Sequence, residues 1–338
     1  MRKNKNSTEI HYPVDNEVQE LIENDKYSDG VSLLYQSQLK TWTILKNATE
    51  ALSLVREKKF LFNGYEIHTH YNPGRVHSTT ADVSREAIKK RQCFLCPENL
   101  PEGQKGFIYR DKYAVLCNPF PIFRGHLTIT NIKHKPQRIR ELFRYMLMLS
   151  KDVADYCFIY NGPEVGASAP DHQHFQAFRK YSLPLIDDYE GLKNEYGEEI
   201  IKGKMYAYFI EDGLRKMLFL ESYSYHSLVR NFNLIYNSFK EISKSHVEPM
   251  MNIISSYEKD AGWKVIIFFR KKHRPDVYFE EGNDNITVSP AAIDLGGVLV
   301  TPFEQDFKKI DRDILSQIFR EVSVGKEEFE YLRTKLRG

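Results

Sequence analysis

Two hydrophobic rhythms divide the chain. Over 18–22 and 33–54, apolar residues (Leu39, Trp42, Leu45, Leu52) recur at three- and four-residue steps, which predicts helices. From Phe60 the period drops to two. Phe60-Leu61-Phe62 and Tyr65–Tyr71 read as strands, and Asn72-Pro73-Gly74-Arg75 as a turn. Further strands are expected at 107–109, 113–117, 125–130 and 156–160, with a helix over 139–153 carried by Leu142, Phe143, Met146 and Leu147. Strands flanking one helix predict an α+β arrangement.

The second half reads similarly: strand 231–236, helix 247–257, strands 263–269 and 294–301, and a helix from 312 to 324. It repeats the strand/helix/strand order of the first half but has no His-x-His, so a degenerate second copy is expected. Residues 181–205 are acidic and polar, a linker or an excursion. The expected layout is a helical N-terminal region (1–60), a catalytic half (61–180), that linker, and a second half (206–338).

Composition narrows the function classes. The 338 residues carry 48 basic and 46 acidic side chains, a formal charge of +2. So balanced a surface does not suit a protein that coats nucleic acid. Hydrophobic residues make up 41%, yet no run approaches a membrane span, and the basic start lacks an apolar segment behind it. A cytoplasmic enzyme without a membrane or nucleic-acid partner is expected. Four cysteines in so long a chain are no disulfide framework; Cys117 and Cys157 lie in apolar strands and read as core.

The densest chemistry lies in Gly166-Ala-Ser-Ala-Pro-Asp-His172-Gln-His174-Phe-Gln176. On a strand, His172, His174 and Gln176 would share one face behind a small-residue loop. An imidazole held beside an amide and free backbone N–H groups can attack phosphorus and hold phosphate oxygens. The plainer alternative is two strand histidines, each satisfied by a hydrogen bond. Cys93-x-x-Cys96 suits a metal, a redox pair or chance. With His134 and His172 it makes two thiolates and two imidazoles, the donor set of a closed structural zinc site. Arg270-Lys-Lys272-His-Arg274 reads as a solvated basic turn or as a phosphate clamp, with Arg270 and Lys272 as candidates. Arg75 is a similar candidate. His126 is expected to be buried and structural. His68, His70 and His77 could suggest another metal site, but alternate strand histidines with no carboxylate or thiol nearby are expected as surface residues.

The pattern Asn118…Gly125-His126…His134…Asn161-Gly162…His172-x-His174-x-Gln176 resembles the histidine-triad superfamily. It is most similar to the transferase branch, in which glutamine replaces the third histidine. Galactose-1-phosphate uridylyltransferases, diadenosine tetraphosphate phosphorylases and GDP-L-galactose phosphorylases belong there. The match covers about residues 65 to 180. Ala292-Ile-Asp-Leu-Gly-Gly-Val-Leu-Val resembles the carboxy-terminal part of GDP-L-galactose phosphorylases more loosely.

The resemblance implies an antiparallel sheet with flanking helices in two related halves. It implies His174 as the nucleophile forming a nucleotidyl-histidine and Gln176 as the amide on a phosphate oxygen. Ser168 and Gly166 would belong to the phosphate loop. Asn118 would face the ribose, and Asn161, Arg75, Arg270 and Lys272 are further substrate-side candidates. Cys93, Cys96, His134 and His172 match the metal ligands of some members, implying a structural zinc. Asp171 departs from the familiar residue at its position. The expected reaction is phosphorolysis of a nucleoside diphosphate sugar of the GDP-hexose kind, with phosphate or a sugar phosphate as acceptor. A dinucleoside polyphosphate phosphorylase, a non-catalytic nucleotide-binding protein and a zinc-dependent hydrolase are the alternatives. A homodimer stays open.

Overall fold

The computed structural model describes residues 12–201 and 204–337. Ten strands form one antiparallel sheet in the order β3-β4-β5-β7-β6-β11-β12-β10-β9-β8. The first half supplies β3 (Gly106–Tyr109), β4 (Tyr113–Cys117), β5 (Leu127–Asn131), β6 (Tyr156–Asn161) and β7 (His174–Arg179). The second supplies β8 (Gly197–Ile201), β9 (Tyr206–Glu211), β10 (Lys216–Ser222), β11 (Met251–Glu258) and β12 (Gly262–Phe269). Each half is a three-strand meander, a helix (Phe143–Asp152 or Tyr225–Ile242) and a hairpin whose second strand inserts beside the meander. The halves meet where β6 pairs antiparallel with β11, through Asn161↔Asn252 to Phe158↔Ser255.

Alternation along the strands builds two cores. Phe175, Phe158, Val115 and Ile267 face the helices, including the N-terminal ones and Lys326–Arg337. Phe178, Ile159, Ile254 and Phe219 face the opposite layer. That layer includes a small sheet in which β1 (Arg56–Phe62) pairs antiparallel with β2 (Tyr65–Tyr71) and β13 (Val298–Thr301) runs parallel to β2. Gln176 lies on this second face, in the cross-strand row Leu116–Thr128–Gln176–Ile159.

Several expected elements change. Residues 231–236 belong to the helix Tyr225–Ile242, whose buried Leu228, Phe232, Ile235 and Phe239 recur every three or four residues. The short aromatic window had imitated a strand. Residues 247–257, expected as a helix, contain β11, which is buried on both faces; a continuous apolar run carries no period. The expected strand at 294–301 splits into a turn of helix, Ala292–Leu295, and β13. The helical stretch 33–54 breaks at Trp42, whose indole N–H donates to the Glu102 carbonyl at 3.0 Å. Within 181–205, Leu183, Leu185, Tyr189 and Leu192 sit in the second core, and β8 forms the sheet edge. Among the described residues, no helix is long and apolar enough to cross a membrane.

A buried carboxyl ties the halves behind the sheet. Glu248 accepts from the Ile139 N–H at 2.9 Å and from the Tyr160 hydroxyl. Burial raises its pKa to about 7, against the opposing effect of those hydrogen bonds. A carboxyl with a higher pKa folded than unfolded contributes most below its unfolded value, and that contribution is lost as pH rises towards 7. Glu248→Gln should therefore lose less stability than the wild type between pH 4.5 and 7.5. A difference of up to about 3 kcal/mol in urea unfolding is expected.

Candidate active site

β7 begins at His174, so His172 lies in the bend before the strand rather than on it. The two imidazoles are held differently. Nδ1 of His174 is 2.8 Å from the His172 carbonyl, which can only accept. Nδ1 therefore carries the proton, and Nε2 keeps its lone pair. Burial lowers the His174 pKa to about 4, so the ring is neutral near pH 7. His172 reverses the arrangement: its Nε2–H donates to the Asn131 carbonyl at 2.7 Å. Its Nδ1 faces Cys93 Sγ at 3.2 Å and Cys96 Sγ at 3.5 Å.

Gln176 is oriented by a relay. The Ile122 N–H donates to His126 Nδ1 at 3.2 Å, so His126 Nε2–H donates to Gln176 Oε1 at 2.8 Å. Burial, reinforced by Arg75, lowers the His126 pKa to about 3 and keeps the ring neutral. Gln176 lines the cavity, and its amide NH2 remains available for an oxygen. His126 is buried as expected, with an orienting task that its position in the chain did not reveal.

Cys93, Cys96, His134 and His172 come together, their potential ligand atoms within 4.8 Å of one another. His134 Nδ1 lies 3.2 Å from Cys96 Sγ. With His172 Nε2 committed to a carbonyl, its Nδ1 has only a lone pair to offer two sulfurs. This donor set fits a tetrahedral zinc ion. Asp171 finds its place here: it binds Arg91 at 2.5 Å, and its other oxygen lies 3.9 Å from the outer nitrogen of His134.

Two adjoining cavities share Arg75, Ser168 and Gln176. The larger, about 490 Å³, contains His174 and has apolar walls from Phe94, Leu95, Leu100, Leu116 and Phe120. Asn118 stands on its side, donating to Thr128 Oγ1 at 2.9 Å and accepting from the Phe120 N–H. Gln104 lines the same wall; its NH2 donates to the Cys117 carbonyl, and its buried Oε1 has no partner. The smaller cavity, about 70 Å³, is polar and lies between Arg75, Ser168, His273, Arg274, Ser289 and Asp294. Gly166 borders it with φ +99°, and a Cβ there would sit 2.5 Å from Ala291 Cβ, so the loop meets the second half at glycine.

Comparisons agree with this architecture. Residues 34–179 match the model of DUF4922, a domain of unknown function, and residues 214–337 match the GDPGP1-like C-terminal domain. No curated protein matches the sequence significantly. Yeast Ap4A phosphorylase Apa2 in complex with AMP superposes with a TM-score of 0.55 at 12% identity, over 92% of this chain and 97% of that one. Its structure without a named ligand gives 0.53 at 13% identity, over 86% and 97%. The fold is the one seen in yeast Ap4A phosphorylase Apa2.

Not every expected residue reaches the site. Arg270, expected on the substrate side, is buried. It gives its N–H groups to Asn252 Oδ1 and to the carbonyls of Val322, Pro290, Lys272 and His273. Lys272, also expected there, pairs with Asp276 and Glu321, outside the lining of both cavities. The cation that the second half does present is Arg274, which also reaches the carbonyls of Thr79 and Ala81. Beside it, burial and the charges of Arg274 and Arg270 lower the His273 pKa to about 3. Asn161 lines the small cavity, but its Oδ1 already accepts from Asn252 and from the Ala292 N–H. Arg75 donates to the Phe120 carbonyl at 2.9 Å, and burial lowers its pKa only to about 10, so it stays charged.

Gln137 is a positioning residue that the sequence did not single out. Its Oε1 accepts from the His174 N–H at 2.9 Å, and its NH2 donates to the carbonyls of His174 and Asn161, each at 3.0 Å. No local pattern marks it; only the fold brings residue 137 onto the start of β7. Gln137→Leu strands these buried groups and should cost about 3 kcal/mol in chemical denaturation.

Proposed function

We propose that this chain is a nucleotidyl-transferring phosphorylase that works through a nucleotidyl–His174 intermediate. One observation carries the reading: a neutral, buried imidazole has Nδ1 tied to a carbonyl and Nε2 free, in a cavity that it shares with the oriented amide of Gln176. His174 Nε2 attacks the α-phosphorus, forming a P–N bond as the P–O bond to the sugar phosphate breaks. A second in-line attack by inorganic phosphate breaks the P–N bond and releases a nucleoside diphosphate. Two displacements at phosphorus require positioning and charge stabilisation more than a strong base.

The apolar cavity suits a nucleoside, with Phe94 and Phe120 half-exposed at its rim. Gln176, Ser168 and Arg75 lie where the two cavities join, and there they would hold the transferred phosphoryl group. The small polar cavity, with Arg274 and His273 from the second half, would hold the sugar phosphate and then the incoming phosphate. Residues 61–180 thus act as the catalytic half, and 206–338 as a degenerate copy that keeps a phosphate-facing surface.

A zinc ion held by Cys93, Cys96, His134 and His172 would supply rigidity, anchoring the bend that presents His174. Four protein donors leave no open position, so this set lends no support to a zinc-dependent hydrolase. A nucleoside diphosphate sugar is the proposed donor, in keeping with the GDPGP1-like match over 214–337. A dinucleoside polyphosphate is the second reading, favoured by the likeness to the yeast enzyme whose solved complexes hold AMP and Ap4A.

Intact-protein mass spectrometry after mixing with GDP-hexoses and with Ap4A should show a gain of one nucleoside monophosphate. The base retained identifies the donor. His174→Ala should abolish the adduct and lower turnover by about 10⁴-fold or more. Tight nucleotide binding with neither adduct nor phosphate-dependent turnover would instead make this a binding protein.

The two cations of the basic turn should separate cleanly. Arg274→Ala should raise the KM for phosphate by about tenfold, the loss of roughly one charge-assisted contact. Lys272→Ala should change neither kcat nor KM by more than about twofold, as expected of a surface ion pair. Steady-state kinetics with varied phosphate measures both.

A further inference from the structure

The β1–β2 hairpin carries a second cluster of donors, outside both cavities. His68 and His70 are two apart on β2, and Glu57 on β1 stands directly opposite His70 in the register. All three therefore project from one face. Glu57 Oε2 lies 2.9 Å from His70 Nε2 and 3.2 Å from His68 Nδ1. The ligand atoms of the three residues lie within 4.8 Å of one another. The remaining nitrogen of His68, Nε2, lies 2.9 Å from Glu66 Oε2.

The sequence leaves these histidines between a metal site and surface residues, for want of a carboxylate nearby; the hairpin brings Glu57 and Glu66 to them. The side chain of His77 lies outside the described residues.

We propose that Glu57, His68 and His70 bind a divalent transition-metal ion. Two nitrogens and one oxygen about 2.0–2.2 Å from a common ion lie roughly 3–3.5 Å apart, as both Glu57–histidine distances do. Glu66 holds the proton of His68 on Nε2 and so turns the Nδ1 lone pair towards Glu57. A carboxylate on the outer nitrogen of a ligating histidine is the usual supporting contact.

Two imidazoles with one carboxylate select zinc, cobalt, nickel or copper over calcium or magnesium. Lys59 lies 3.6 Å from Glu57 and 4.0 Å from Glu66. With neutral imidazoles, the two carboxylates and this ammonium leave one net negative charge for the cation. Three protein donors also leave a position for water or an external ligand, unlike the four-donor cysteine site.

The hairpin is braced for this. β13 pairs along β2, with Val298 beside His68 and Val300 beside His70. The His70 ring also packs edge-on to Phe123 at 6.3 Å between centroids. Five residues beyond His70, the same segment presents Arg75 to both cavities.

Optical titration of the full-length protein with Co²⁺, without prior stripping, tests the assignment. The expected result is visible d–d bands that lack thiolate charge transfer and saturate at one equivalent. His70→Ala should abolish those bands. Glu57→Gln should weaken the binding behind them at least tenfold, with circular dichroism confirming that both variants are folded. Three results would overturn the proposal: no such bands at a several-fold excess of cobalt, bands appearing only with thiolate charge transfer, or bands unchanged in both variants.

Discussion

The join between β6 and β11 is the constraint on which the rest depends. It makes one ten-stranded sheet from two halves, and a buried polar chain holds it in register. Asn161 Oδ1 accepts from Asn252, and Asn252 Oδ1 accepts from Arg270. Arg270 then binds carbonyls on either side of the segment that faces the small cavity. Removing one member would leave an amide or a charge buried without a partner, which is far costlier than losing an exposed contact. Arg270 thus serves the site indirectly: it fixes the segment from which Arg274 and Ser289 line the small cavity.

A second principle operates among the histidines. His172, His174 and His126 each have one ring nitrogen committed to a defined partner, which determines what the other can do. The carbonyl of Asn131 leaves Nδ1 of His172 for the cysteines. The carbonyl of His172 leaves Nε2 of His174 with its lone pair uncommitted, as the proposed nucleophile needs. The N–H of Ile122 obliges His126 to donate to Gln176. Three chemically identical side chains take three tasks because the backbone around each offers a different group. Burial assists by keeping the rings of His126 and His174 neutral near pH 7.

The division of the cavity follows from the two faces of the assembly. Its apolar part is walled by the loop after Cys93 and by β4, which belong to the first half. Its polar part lies against the second half, where cations and buried acceptors gather. The proposed substrate places opposite demands on solvation, apolar for a nucleoside and polar for phosphate, and a site built from two copies of one topology can meet each on its own side.

The sequence by itself determined the α+β class, most strands of the first half, the His-x-His-x-Gln motif and the four-donor Cys/His set. These are short-range patterns: strand period, residue type and spacing survive without knowledge of the fold. It misassigned 231–236 and 247–257, because a window with an incidental alternation or none cannot separate a buried strand from a helix. Arg270 and Arg274 sit four residues apart in one basic run, and no local rule says which is buried against carbonyls and which faces a cavity. Gln137, Gln104 and Glu57 carry no motif at all. Only the tertiary structure decided their placement, because burial, strand register and hydrogen-bond partners arise from residues far apart in the chain.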